Sequence, residues 1–86
     1  MKIEWIKNSG SLQGLVQAGE DAVALQGVSE DHVPRVEKFV SQFDTKSGPS
    51  FVNAVVSQGR YFAADPSDPG VIVYHGILPE SESDII

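Results

Sequence analysis

The clearest pattern in the chain is a helical one: Val33, Val36, Phe39, Val40 and Phe43 recur at spacings of three and four, while Arg35, Glu37, Lys38 and Gln42 fill the opposite face. It predicts an amphipathic helix over about 34–45, packed through Val36, Phe39, Val40 and Phe43. Pro34 fits the first turn, where no backbone donor is needed, so Ser29 to Asp31 supply a cap or a preliminary turn. At the N-terminus Met1, Ile3 and Trp5 alternate with Lys2 and Glu4, the period-2 pattern of a half-buried strand that ends at Asn8-Ser9-Gly10 and turns Trp5 inward.

Residues 11–18 fit two elements. Ser11 can cap a short helix over Leu12, Leu15 and Val16 that stops at Gly19, although Gly14 weakens it, or the same residues form one arm of a hairpin turning at Ala18-Gly19-Glu20-Asp21. The helix is the reading preferred from sequence. Ala22 to Leu25 is a strand in either case. Pro49 near its start and Gly59 just past its end suggest a second short helix around Phe51, Val52, Val55 and Val56, with a strand as the alternative.

The last unit reads as a hairpin: Arg60 to Ala64, a turn Asp65-Pro66-Ser67-Asp68-Pro69-Gly70, then Val71 to Leu78. Six residues between the arms are too few for a parallel crossover, so the arms are antiparallel. The second arm is apolar on both faces and belongs in the middle of a sheet. Together these elements predict a small single α+β domain over 1–78, a mostly antiparallel sheet of three to four strands against one main helix and one or two short ones. Residues 79–86 follow as an acidic, flexible tail.

Composition narrows the chemistry. The chain of 86 residues holds one core, and 41% hydrophobic with 21% charged residues is ordinary globular composition rather than that of a disordered chain. Without cysteine it has no disulfide, thiolate nucleophile or thiolate metal site. The N-terminus lacks the apolar run of a signal peptide and no stretch reaches membrane-spanning length, so the expectation is a soluble, cytoplasmic protein.

The formal charge is -6, and it is unevenly spread: residues 1–60 carry seven acids and all six bases, while residues 61–86 carry Asp65, Asp68, Glu80, Glu82 and Asp84 and no base. Such a chain repels a phosphate backbone or an anionic membrane and attracts a basic protein. The bland account of the same acids is solubility.

Catalytic motifs are not apparent. His32 and His75 belong to no paired ligand spacing, so no metal or other cofactor is expected. Gly48-Pro49-Ser50-Phe51-Val52 fails as a nucleophile elbow at its last position, and no glycine set matches a phosphate-binding loop. Asp65, Ser67 and Asp68 do not follow the alternating ligands of a calcium loop and suit a tight turn. Tyr61, Phe62 and Tyr74 could form a base-stacking platform, yet only Arg60 lies near them in sequence, and core packing is the default.

The expectation is therefore a non-enzymatic protein-binding domain, an inhibitor, immunity-type antagonist or regulator, whose Asp65, Asp68, Glu80, Glu82 and Asp84 face a basic partner. Its alternatives are an assembly or scaffold subunit that adds the Val71–Leu78 strand or the Ile85-Ile86 tip to a partner or sister chain, and a small enzyme pairing His32 or His75 with a carboxylate.

Overall fold

A computed structural model of the chain describes residues 2–58 and 60–79. The expected tail from Glu80 onward, the Ile85-Ile86 tip and the helix stop at Gly59 lie outside the described residues. Among the described residues five strands, β1 (Ile3–Asn8), β2 (Ser11–Ala18), β3 (Asp21–Val28), β4 (Phe62–Asp65) and β5 (Asp68–Tyr74), form one sheet in the order β1-β2-β3-β5-β4. All neighbours are antiparallel except β3 and β5, which run parallel with Ala24 opposite Val71. The class is α+β, with one more strand than the sequence suggests.

Residues 11–18 are the main correction, because they form β2 and not a helix. Leu12, Leu15 and Val16 also satisfy a helical spacing, but Leu12, Gly14, Val16 and Ala18 alternate as well, and pairing on both sides decides between the two periods. Gly14 has a packing reason: a Cβ there would stand 2.9 Å from both Ile3 Cγ2 and Trp5 Cζ3, so the missing side chain leaves room for the half-buried indole.

After β3 a 3-10 turn over Glu30–His32 leads into α1 (Val33–Ser41), with Pro34 in its first turn as expected. This helix ends earlier than position 45. Beyond Ser41 the backbone tightens, with Phe43 N–H donating to Val40 O at 3.0 Å and Lys46 N–H to Phe43 O at 3.0 Å, so the apolar period runs on to Phe43 in turns rather than in α-helix. The second helix, α2 (Gly48–Ser57), confirms the helical reading of Phe51 to Val56.

The final turn is shorter than the six residues read from sequence. Asp65 pairs with Asp68, so only Pro66 and Ser67 lie between the strands and Pro69 and Gly70 belong to β5. Both prolines are tolerated because they fall at the turn and at the start of a strand, where a missing donor costs least.

The helices pack on one face of the sheet. Val36, Phe39 and Val40 of α1, Phe51, Val52 and Val55 of α2, and Val16, Val23, Leu25, Phe62, Ile72 and Tyr74 of the strands make one core, with Trp5 and Phe43 packed at its margin. Phe39 stacks on Phe62 with ring centroids 5.7 Å apart and meets Tyr61 edge-on at 5.3 Å. The three aromatics Tyr61, Phe62 and Tyr74 are therefore buried core and no stacking platform. No helix among the described residues is long and apolar enough to cross a membrane.

Candidate functional site

The direction of each element divides the molecule into two ends. Parallel β3 and β5 start at one end, where the β2–β3 and β4–β5 turns lie and where the chain between α1 and α2 returns; they finish at the other, beside the start of α1.

At the finishing end stand the polar groups with the most chemical reach. His32 Nδ1 lies 2.6 Å from the Tyr74 hydroxyl, which also accepts the Leu78 N–H at 3.1 Å. Arg35 Nη1 donates to the Leu78 carbonyl at 3.0 Å. Burial raises the Tyr74 phenol above its ordinary pKa, against the opposing effects of the Leu78 N–H and the Arg35 charge. Both backbone groups of Leu78 are thus held by side chains of other elements, and the buried Leu78 side chain closes this end of the core. The arrangement is a clamp on the chain leaving β5. His75 is exposed, and its backbone N–H donates to Tyr61 O at 2.8 Å.

The starting end is acidic. Asp65 Oδ1 accepts both the backbone N–H of Ser67 at 2.9 Å and its Oγ–H at 2.7 Å, and these two bonds hold the Asp65 carboxyl below the usual range. Asp68 Oδ1 accepts the Gly70 N–H at 3.0 Å. One oxygen of each carboxylate therefore shapes the turn, and each keeps further acceptor sites for solvent or a partner. The parallel register places Asp21 level with Asp68, three residues before Ala24 and Val71 in each strand. Glu20 lies beside Asp21 in the β2–β3 turn, and the α1–α2 connection brings Asp44 and Lys46 to the same end. Lys2, next to the start of β1, is also here.

Between these turns lies a cleft of about 240 Å³ lined by Asp21, Ala22, Val23, Gly48, Pro49, Val52, Pro69 and Gly70. The start of α2 forms one wall. Asp21 comes so close to Gly48 that a Cβ there would stand 2.5 Å from Asp21 Oδ2, and the carboxylate lies where a helix N-terminus favours negative charge.

Of the five acids singled out from sequence, the fold brings Asp65 and Asp68 together, while Glu80, Glu82 and Asp84 lie outside the described residues. Sequence reasoning missed Glu20 and Asp21. Their turn was visible, but nothing in the local pattern announces that β3 and β5 are neighbours. The strand named in the strand-addition alternative, β5, is paired on both sides, by β3 and β4, so that among the described residues the outer strands are β1 and β4. Among the described residues no three His, Cys, Asp or Glu side chains gather as a metal site. Comparison with known proteins adds no relative, since no family model, no curated protein and no solved structure matches the chain.

Proposed function

We propose that this chain is a small non-enzymatic protein-binding domain, an inhibitor, immunity-type antagonist or regulator, that engages a basic surface of a partner protein through the acidic end of its sheet. The observation that carries the reading is the gathering of Glu20, Asp21, Asp65 and Asp68, remote in sequence, at one end of the sheet, where Asp21 also lines a cleft. The cleft suits a lysine or arginine side chain: Val23, Pro49, Val52 and Pro69 offer apolar wall to its stem, and the Asp21 carboxylate stands at the wall for its head. In this reading Glu80, Glu82 and Asp84 add to the field that steers the partner, and the protein works in the cytoplasm.

The test begins with capture of partners from native lysate at low salt, followed by association kinetics with the captured protein. Replacing Asp21 and Asp68 by asparagine should slow association and flatten its salt dependence, because screening acts over about 8 Å at physiological ionic strength. Equal rates and equal salt slopes for wild type and variant would overturn the assignment of this end.

A further inference from the structure

The two outer strands differ in how their free edges are protected. β4 has four residues and a register shift between Ala64 and Asp65, which shortens and bends the edge that it offers. β1 has six residues, no proline, and an uninterrupted register against β2 from Ile3–Val16 to Asn8–Ser11. Among the described residues no strand pairs with its outer side.

The turn at the end of β1 fixes which backbone groups face outward. Ser9 and Gly10 both have positive φ, 38° and 90°, the signature of a two-residue type I′ turn closed by hydrogen bonds between Asn8 and Ser11. Hydrogen-bonded and non-bonded pairs alternate along an antiparallel ladder, so Asn8, Ile6 and Glu4 turn their N–H and C=O groups to β2. Those of Lys7, Trp5 and Ile3 point to the open side. On the sheet face away from the helices, Ile6 is 49% exposed beside this edge.

We propose that the outer edge of β1 is a self-complementary interface at which a second copy of this chain adds its own β1 antiparallel, joining two sheets into one. An axis through residue 4 or residue 7 would set Glu4 against Glu4 or Lys7 against Lys7, and like charges directly opposite are destabilising. An axis through Trp5 leaves Ile6 facing Glu4. An axis through Ile6 pairs Ile6 with its own copy, Glu4 with Asn8, and Trp5 with Lys7 on both sides of the axis. That last pairing is complementary in charge: Trp5 Nε1 donates to Glu37 Oε2 at 2.9 Å, so Lys7 of the second copy arrives beside an indole that already holds a carboxylate. The Ile6 axis therefore satisfies the outward backbone groups of Trp5 and Lys7, covers the exposed Ile6 and matches two cations to two anions.

The experiment is sedimentation of the purified chain over a wide concentration range, with three variants. Wild type should rise from the 9.2 kDa monomer towards twice that mass. Lys7→Pro removes an outward N–H that the β1–β2 ladder does not use, so it should keep the thermal unfolding of the monomer and raise the dimer dissociation constant at least about tenfold. Because the chain has no cysteine, Ile6→Cys should form an interchain disulfide on oxidation in much higher yield than Glu4→Cys, whose thiol would face Asn8. A chain that stays monomeric at millimolar concentration, a dimer unaffected by Lys7→Pro, or equal cross-linking at the two positions would overturn the proposal. No basic partner enters these measurements, so their outcome is independent of the acidic end.

Discussion

His32 Nδ1 and the Tyr74 hydroxyl meet at 2.6 Å across 42 residues of sequence, with the imidazole edge-on to the phenol ring at a centroid separation of 5.6 Å. In the tautomer that carries the ring proton on Nε2 the phenol donates to Nδ1, and in either tautomer the same oxygen accepts the Leu78 N–H. Tyr74→Phe deletes both bonds in a buried setting and should cost about 1–3 kcal/mol in urea unfolding near neutral pH. Since burial raises the phenol pKa, folding favours its neutral form. That contribution is complete below the unfolded value near 10, and it is lost as pH rises through the higher folded value. Wild type should therefore lose stability in that alkaline window more steeply than Tyr74→Phe does.

Phe39 is 2% exposed, stacked on Phe62 and in edge contact with Tyr61 and Phe43. Phe39→Ala should cost about 3–5 kcal/mol, because the cavity opens between two helices and the sheet and cannot collapse onto one flexible neighbour. A loss under about 1 kcal/mol would mean that α1 turns another face to the core. Urea unfolding of the variant measures it.

The α1 face was legible because Val36, Phe39 and Val40 sit one helical turn apart and their opposite neighbours are polar; period and burial agree there. The short α2 was legible for a similar reason, reinforced by Pro49 at its start. Residues 11–18 satisfied both periods, and only the two flanking strands choose between them, which is a relation between segments that no local window contains. The same limit hid the acidic end. Asp65 and Asp68 stand three residues apart and could be read together, but Asp21 joins them only through the parallel pairing of β3 with β5. His32 belongs to no pair in the sequence for the same reason, since Tyr74 meets it only through the fold.

Two glycines with similar backbone should respond differently to alanine. Gly10 has φ +90° and Gly19 has φ +71°, so each substitution forces a side chain into the left-handed region, a penalty of about 1–2 kcal/mol. At Gly10 a Cβ would have nothing within 4 Å, whereas at Gly19 it would collide with Ser47 Cβ on the α1–α2 connection. Gly19→Ala should therefore be the more destabilising by urea unfolding. The double variant Gly19→Ala/Ser47→Gly should recover the difference, because it removes the collision and leaves the backbone penalty. Failure to recover would mean that the β2–β3 turn and the connection do not touch in solution.

Asp65 and Ser67 offer a test of the acidic turn that requires no partner. The folded carboxyl is held low first by the Ser67 backbone N–H and second by its hydroxyl, with slight desolvation acting the other way. A depressed carboxyl contributes stability above its unfolded value, and that contribution is lost as pH falls through the lower folded value. Ser67→Ala removes only the hydroxyl donor at 2.7 Å and leaves the backbone N–H at 2.9 Å in place. The Asp65 pKa, followed by NMR titration of its carboxyl carbon, should rise towards the ordinary value without reaching it. Acid unfolding of the variant should then depend less steeply on pH below about 4, where the wild-type carboxylate is still bonded and the unfolded one is already protonated. Asp65→Asn serves as the reference with no titration at this site. If Ser67→Ala leaves the Asp65 titration unchanged, the hydroxyl is not bonded to it in solution, and the carboxylate carries one bond fewer in the turn and one more acceptor site for a basic partner.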